Sequence, residues 1–492
     1  VYMLDELHKS FDHAERIGVI GSPSTTRNLT IDILGTAADK RLVGSLCIFR
    51  FKQDSRTNYA LGQITEIKLR NVWSEDPTIR GLIRQKGGID PITEKQDTHT
   101  AIMIVGAVFI NTSNGYEPSM LGTVPPTGTP IKLVNNDIIV GLLSRYTHEI
   151  FYLGKAYGST ILLPMWFKHF GYDEGGAGEA YHIGIFGKTG SGKSILAKMI
   201  MLAYARHRTM NIFVLDPQGE FTKLKNDNRL LNILTRLSKQ VLFYDLHNLV
   251  LSGSELFLKI LGISKFFDKL GIYHDDNKER AKIQISRILK GRAGTLTITA
   301  EVKPWEYHKS EVFDRVVNGL KDQNVLANIY SGREYHDRIK SALAEDKDDL
   351  YDIWRKTANL FAYEGKNNAI EINKLTGTVT MDTNGKIVII DLSESNVPSN
   401  ILWNDDIKMI VINEFLQSLS KQAQESFKRG RLINTLVIID EAHRLAPREK
   451  PENPELENIK NTFKDAVRTT RKFGLGWLFI SQTLSSLDKE II

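Results

Sequence analysis

One cysteine stands in the whole of 492 residues, which rules out any intrachain disulfide. Cys47 lies in the apolar run Leu46-Cys47-Ile48-Phe49, so a buried small hydrophobe is expected rather than a reactive thiol. So few thiols suit a cytoplasmic protein. Also missing is an apolar run of membrane-spanning length. The longest, Ala101 to Ile110, has about half of the ~20 residues a spanning helix needs, and it reads as a strand containing Gly106. No membrane contact is expected. Nor is a signal peptide expected: Tyr2 to Arg16 carries Asp5, Glu6, Asp12 and Glu15. The chain opens on Val1 and stops at Ile492 just after an expected strand, as an ordered fragment would.

What is present is the composition of a soluble globular protein, with 41% hydrophobic and 25% charged residues. The length calls for two or three domains. The net charge of +6 suits a polyanionic partner, although over this length the support for nucleic acid is mild.

Residues 1–170 are expected to form a small β-barrel or sandwich. Short β-type runs at 17–20, 29–34, 45–51, 59–69, 101–110, 131–134 and 160–163 are separated by turns such as Gly21-Ser22-Pro23 and Pro125 to Pro130. No Ser/His/Asp set, metal-ligand cluster or carboxylate pair stands out there, which suggests a non-catalytic module. Gly171 to Ala180 reads as a glycine-rich, acidic linker. From Tyr181 strands and helices alternate, the pattern of an α/β domain with a parallel sheet, spanning 171–492. Its strands are expected at 182–186, 211–216, 241–245, 387–391, 436–440 and 477–481. A helical insertion is expected at about 252–380, where Lys, Asp, Glu, Leu and Ile dominate and strand signals are few.

The strongest local signal is Gly187-Lys188-Thr189-Gly190-Ser191-Gly192-Lys193-Ser194, which matches G-x-x-x-x-G-K-[ST]. A short apolar strand precedes it and a helical pattern comes after. That order aims backbone N–H groups and a helix N-terminus at a polyphosphate. All eight residues are therefore candidate ATP-binding residues, with Lys193 reaching the β- and γ-phosphates and the Ser194 hydroxyl on Mg²⁺. A second signal is Leu436 to Ile439 running into Asp440-Glu441: Asp440 is the expected second metal-site residue and Glu441 the expected base for the attacking water. A third is the strand ending at Ser481-Gln482. In such ATPases this strand lies between the P-loop strand and the Asp-Glu strand, so Gln482 is expected beside the γ-phosphate.

Lys460, Lys464, Arg468 and Arg471 share one face of a helix expected over 456–473. A cationic face is ordinarily just solvated. This one ends against the sensor strand, so Arg471 is a candidate arginine finger for a neighbouring subunit. In Asp216-Pro217-Gln218-Gly219-Glu220-Phe221, Asp216 and Glu220 are either structural or shape a loop coupling ATP to a polymer. Lys223 and Lys225, just beyond, are candidates for DNA phosphates.

Together the GKTGSGKS, DPQGEF, LVIIDEAHRLAP and RTTRKFGLGWLFISQ segments resemble the HerA branch of the HerA/FtsK superfamily across about 181–492. Pro125 to Pro130 and Tyr152 to Gly158 resemble the β-barrel that precedes its ATPase core. The resemblance implies a RecA-like P-loop ATPase and a homo-hexameric ring that moves double-stranded DNA through its pore. It also implies a nuclease or other effector partner, in DNA end processing and repair or in phage defence. Two further readings stand beside the motor. One is an ATP-binding ring platform that licenses an effector nuclease or NAD-consuming enzyme. The other is a conjugation or secretion ATPase. Many HerA proteins place an Arg directly before the His of the P-loop strand, where this chain has Tyr181, so that role is either absent or falls to another residue.

Overall fold

The computed structural model describes residues 2–87, 97–113, 115–155, 160–292, 300–451 and 454–491. The chain divides into two compact units, Val1–Phe167 and Lys168–Ile492.

The first unit is built on seven strands: β1 (Arg16–Ile20), β2 (Asn28–Ile33), β3 (Leu46–Gln53), β4 (Arg56–Arg70), β5 (Thr98–Thr112), β6 (Gly115–Ser119) and β7 (Pro130–Leu133). Six run in the order β2-β1-β7-β3-β4-β5, and antiparallel pairing of β5 with β2 closes the ring. Closure removes the free sheet edges. Strand alternation sorts the side chains. Cys47, Phe49 and Phe51 point inward with Ile31, Met103 and Ile131. Ile48 and Tyr59 face outward, under Leu7 and Phe11 of the helix Tyr2–His13 and Ile138 and Leu142 of the helix Asn136–Leu142. The β4–β5 ladder shifts register at Leu61/Gly62, which helps the sheet curl. A Cβ on Gly62 would sit 2.6 Å from the Ile104 carbonyl oxygen, so only glycine fits this close approach. Cys47 is fully buried, as expected of a small hydrophobe, and burial pushes its thiol up to about 12. The two covering helices, β6 and β8 (Ile150–Lys155) add to the strands expected from sequence; β8 pairs with β9 (Leu162–Trp166), which overlaps the strand expected at 160–163. Residues 156–158, the end of the second barrel-like stretch, lie outside the described residues.

The second unit carries a six-stranded, wholly parallel sheet: β10 (His182–Phe186), β11 (Asn211–Asp216), β12 (Gln240–Tyr244), β15 (Lys386–Asp391), β16 (Thr435–Ile439) and β17 (Leu475–Ser481), in the order β10-β17-β16-β11-β15-β12. Every residue of β11, β16 and β17 is buried, as in a sheet covered on both faces. This is the α/β fold of a P-loop ATPase. β17 lies between the P-loop strand and the strand leading to Asp440-Glu441, as expected.

Between the short paired strands β13 (Leu249–Val250) and β14 (Ile370–Glu371) runs a series of helices, from Ser254–Ile263 to Lys347–Ala358; residues 293–299 of the expected insertion lie outside the described residues. Their centre is Trp354, fully buried among the rings of Phe257, Phe266, Tyr307 and Phe313, with its indole N–H donated to the Tyr307 carbonyl at 2.7 Å. This cluster is continuous with β11, β15 and the long helix Asp405–Lys428. The insertion thus shares the ATPase core.

The segment 171–180, expected as a loose linker, is folded onto the second unit. The Ala177 N–H donates to the His169 carbonyl, Gly178 to that of Gly171, and Ala180 to that of Arg471. Its glycines permit tight turns here rather than slack.

Candidate active site

The P-loop connects β10 to the helix Lys193–Ala205. Gly190 and Gly192 take φ of +79° and +89°, values that a side chain would strain, and this lets the backbone curl around a phosphate-sized space. Thr189, Gly190, Gly192, Lys193 and Ser194 line a cavity of about 580 Å³. Gly187, Lys188 and Ser191 do not line it. The Gly187 N–H is donated to the Ser481 carbonyl (3.3 Å) and the Ser191 N–H to that of Lys188 (3.1 Å), so these residues shape the loop from behind. The Lys193 ammonium rests on the Lys188 carbonyl at 3.2 Å.

Asp440, Glu441 and Gln482 line the opposite wall of the same cavity. Residues far apart in sequence therefore converge at the C-terminal ends of β10, β16 and β17, where ligands bind in open α/β sheets. Burial pushes the Asp440 carboxyl up to about 6; the charges of Glu441, Asp216 and Glu220 add to this, against the Glu441 N–H donated to Asp440 Oδ1 at 2.9 Å. Ser194 and Asp440 supply the hard oxygen donors that suit Mg²⁺, so the residues present fit a divalent cation. Glu441 sits at φ +54°, an uncommon conformation for a residue with a side chain.

The other acid at a strand end has a different task. Asp216 is fully buried and accepts from the N–H groups of Glu220 (3.0 Å), Phe221 (2.9 Å) and Thr222 (2.7 Å) and from the Thr222 hydroxyl (2.9 Å). It locks the turn that carries Gln218 and Glu220 to the cavity. Asp216→Ala strands these donors and is expected to cost about 3 kcal/mol or more of stability, read by urea unfolding. A loss below about 1 kcal/mol would remove Asp216 from this role.

The basic helix departs most from its sequence reading. Lys460 pairs with Asp488 (2.8 Å), Lys464 with Glu490 (2.8 Å) and Arg468 with Glu490 (2.6 Å). Partial burial would raise the Asp488 carboxyl, but the Lys460 hydrogen bond and the charges beside it hold it below the usual range. Most of the cationic face is therefore neutralised within the chain. Arg471 is not among the residues lining the cavity. It precedes the N-terminal end of β17 and pairs with Glu179, so the length of that strand, ~20 Å at ~3.3 Å per residue, separates it from Gln482. His182 also serves structure: it accepts the Trp477 N–H at Nδ1 (3.3 Å), so Nε2–H donates to the Val467 carbonyl (2.9 Å), and burial lowers its pKa.

Gln218 and Arg444 line the cavity and were not picked out from sequence. Arg444 comes shortly after Asp440-Glu441 in the motif, a signal that was available. Its guanidinium meets Asp405, at the start of the helix Asp405–Lys428, at 3.3 Å.

Residues 180–469 match the family model described as "Helicase HerA, central domain". The probable helicase MJECL08 of Methanocaldococcus jannaschii is 22% identical over 514 residues, covering 97% of this chain and 84% of that protein. Among solved structures, VirB4 of Thermoanaerobacter pseudethanolicus is similar at 16% identity and a TM-score of 0.34, over 63% of this chain and 72% of that one. No helix among the described residues is long and apolar enough to cross a membrane. With a P-loop, an Asp-Glu strand end and Gln482 on one cavity, and with the family model matching more than half of its length, the chain belongs to the HerA helicase family and is an ATPase of that type.

Proposed function

We propose that this ATPase spends hydrolysis on moving double-stranded DNA through a homo-hexameric ring, working with a nuclease or other effector in DNA end processing or phage defence. The observation that carries this reading is the convergence of Lys193, Ser194, Asp440, Glu441 and Gln482 on one cavity in a HerA-family chain. Lys193 meets the β- and γ-phosphates. Ser194 and Asp440 hold Mg²⁺, which neutralises phosphate charge when bound. Glu441 takes the proton of the attacking water, and Gln482 contacts the γ-phosphate or that water. Arg471 acts in the site of a neighbouring subunit.

The loop locked by Asp216 gives a physical route from ATP to DNA. Glu220 lines the cavity and pairs with Lys223 at 2.6 Å. Lys223 and Lys225 lie on the short turn Thr222–Asn226 just beyond it, both exposed. A change at the phosphates thus moves a loop whose lysines meet DNA. With a pI of about 9.0, the protein favours a polyanion.

Contacts of this kind read phosphate, not base, so duplexes of different sequence should bind alike. Affinity should fall with salt at a log–log slope of about −0.9 per phosphate neutralised. Changing Lys223 and Lys225 together to Ala should make that slope shallower by about two. Fluorescence anisotropy across a salt series, with DNA-stimulated ATPase alongside, measures both. Salt-insensitive binding, or no binding even with DNA ends and the effector present, would instead favour a ring platform that licenses its effector without translocation.

A further inference from the structure

Glu441, the base of the proposed reaction, does not stand alone in the cavity wall. Its Oε2 lies 3.4 Å from His443 Nε2. The other ring nitrogen, Nδ1, lies 3.3 Å from the Ser481 hydroxyl. Ser481 is fully buried at the end of β17, one residue before Gln482, and its carbonyl accepts the N–H of Gly187, the first residue of the P-loop. A single chain of polar contacts therefore runs from the phosphate loop through Ser481 and His443 to the carboxylate of the base.

The chemistry fixes the order of donors. A carboxylate only accepts, so in this 3.4 Å contact Nε2 is the side that can donate toward Glu441. In the neutral ring Nδ1 then accepts from the Ser481 hydroxyl. The hydroxyl proton is shared: Ser486 Oγ, whose own proton goes to the Thr483 carbonyl at 2.7 Å, is a second acceptor at 3.1 Å, and the Thr483 carbonyl is a third at 3.5 Å. Glu441 is also held from its own backbone, at φ +54°, with its N–H bound to Asp440 Oδ1. A residue in that region persists where its surroundings over-determine it. Here the surroundings are Asp440 on the metal side and His443 on the sensor side.

We infer that His443 is a positioning residue, which sets the Glu441 carboxylate according to the state of the P-loop and sensor strand through Ser481. The inference rests on the assignment of Glu441 as base. When phosphate draws on the loop at Gly187 or on Gln482, the end of β17 shifts, and the imidazole passes that shift to the carboxylate. Hydrolysis is thereby tied to a properly filled site, with no contact between His443 and the nucleotide.

Steady-state ATPase with nucleotide binding, on the assembled protein with DNA, tests this. His443→Ala should lower kcat about tenfold while KM and ATP affinity stay within about twofold, because the group acts on the base and not on binding. Ser481→Ala should do the same. The double variant should be no slower than the slower single one, since both break one chain. His443→Gln, whose amide can donate to Glu441 and accept from Ser481, should recover part of the loss. Retained ATP affinity shows that each variant is folded around its site. Independent, multiplying losses from the two substitutions, or a normal kcat in His443→Ala beside a dead Glu441→Gln, would overturn the relay and leave the base standing. Normal turnover in Glu441→Gln as well would remove the base assignment on which it rests.

Discussion

Glu441→Gln is expected to bind ATP and Mg²⁺ nearly as the unchanged protein does and to lose about 10²- to 10⁴-fold in kcat, the range a positioned general base supplies. The amide keeps the size of the carboxylate and leaves Ser194 and Asp440 untouched. Lys193→Ala should lose turnover by a different route. It removes the ammonium that now rests on the Lys188 carbonyl at 3.2 Å and faces the cavity, and with it the attraction for the β- and γ-phosphates. Its signature is weak nucleotide binding, where that of Glu441→Gln is tight binding without hydrolysis. Equilibrium binding of a fluorescent nucleotide and steady-state phosphate release separate the two. Near-normal turnover in Glu441→Gln would eliminate that residue as the base. Unchanged ATP affinity in Lys193→Ala would mean that the phosphates do not sit in this loop.

These two residues were legible in the sequence because each comes after a short apolar run rich in β-branched residues. Leu436 to Ile439 is wholly buried in the sheet, Ile183 to Phe186 forms its partly exposed edge strand, and a parallel sheet delivers the loops at the ends of its strands to one edge. The features that stayed hidden depend on contacts between segments far apart in the chain. Lys460, Lys464 and Arg468 look free in a helical projection, yet Asp488 and Glu490 come back to cover them. Asp216 is at a strand end like Asp440, and only its ring of N–H donors shows that it holds a turn together. The Ser481–His443–Glu441 chain joins two strands, and no spacing rule reaches across them. The glycines of 171–180 carry the composition of a linker, and composition does not say whether turns will find partners. The covering helices were missed because an amphipathic stretch such as Tyr2–His13 needs the barrel's outer face before its pattern has a meaning.

The placement of Arg471 leads to the second large effect. Within its own chain it cannot reach the cavity, since the whole of β17 intervenes. It does stand where the family pattern has a gap. Many relatives carry an Arg directly before the His of the P-loop strand; here that position is Tyr181, and Arg471 lies against its neighbours. Its guanidinium pairs with Glu179 and its carbonyl accepts the Ala180 N–H at 3.0 Å. A cation is thus supplied from the chain ahead of β17 to the same edge of the sheet. If that edge faces the ATP site of the next subunit, Arg471→Ala should lower kcat by roughly 10³-fold, as loss of an arginine finger does, with ATP affinity retained. Glu179→Gln removes the partner but not the cation, and should keep most of the activity. The decisive measurement is mixing. Arg471→Ala subunits retain Lys193, and Lys193→Ala subunits retain Arg471, so a mixed ring contains some complete sites and should recover turnover that neither variant shows alone. Mixed rings as inactive as their parents, or full ATPase activity in a species that sediments only as monomer, would place Arg471 outside catalysis and leave its pairing with Glu179 as a structural clasp.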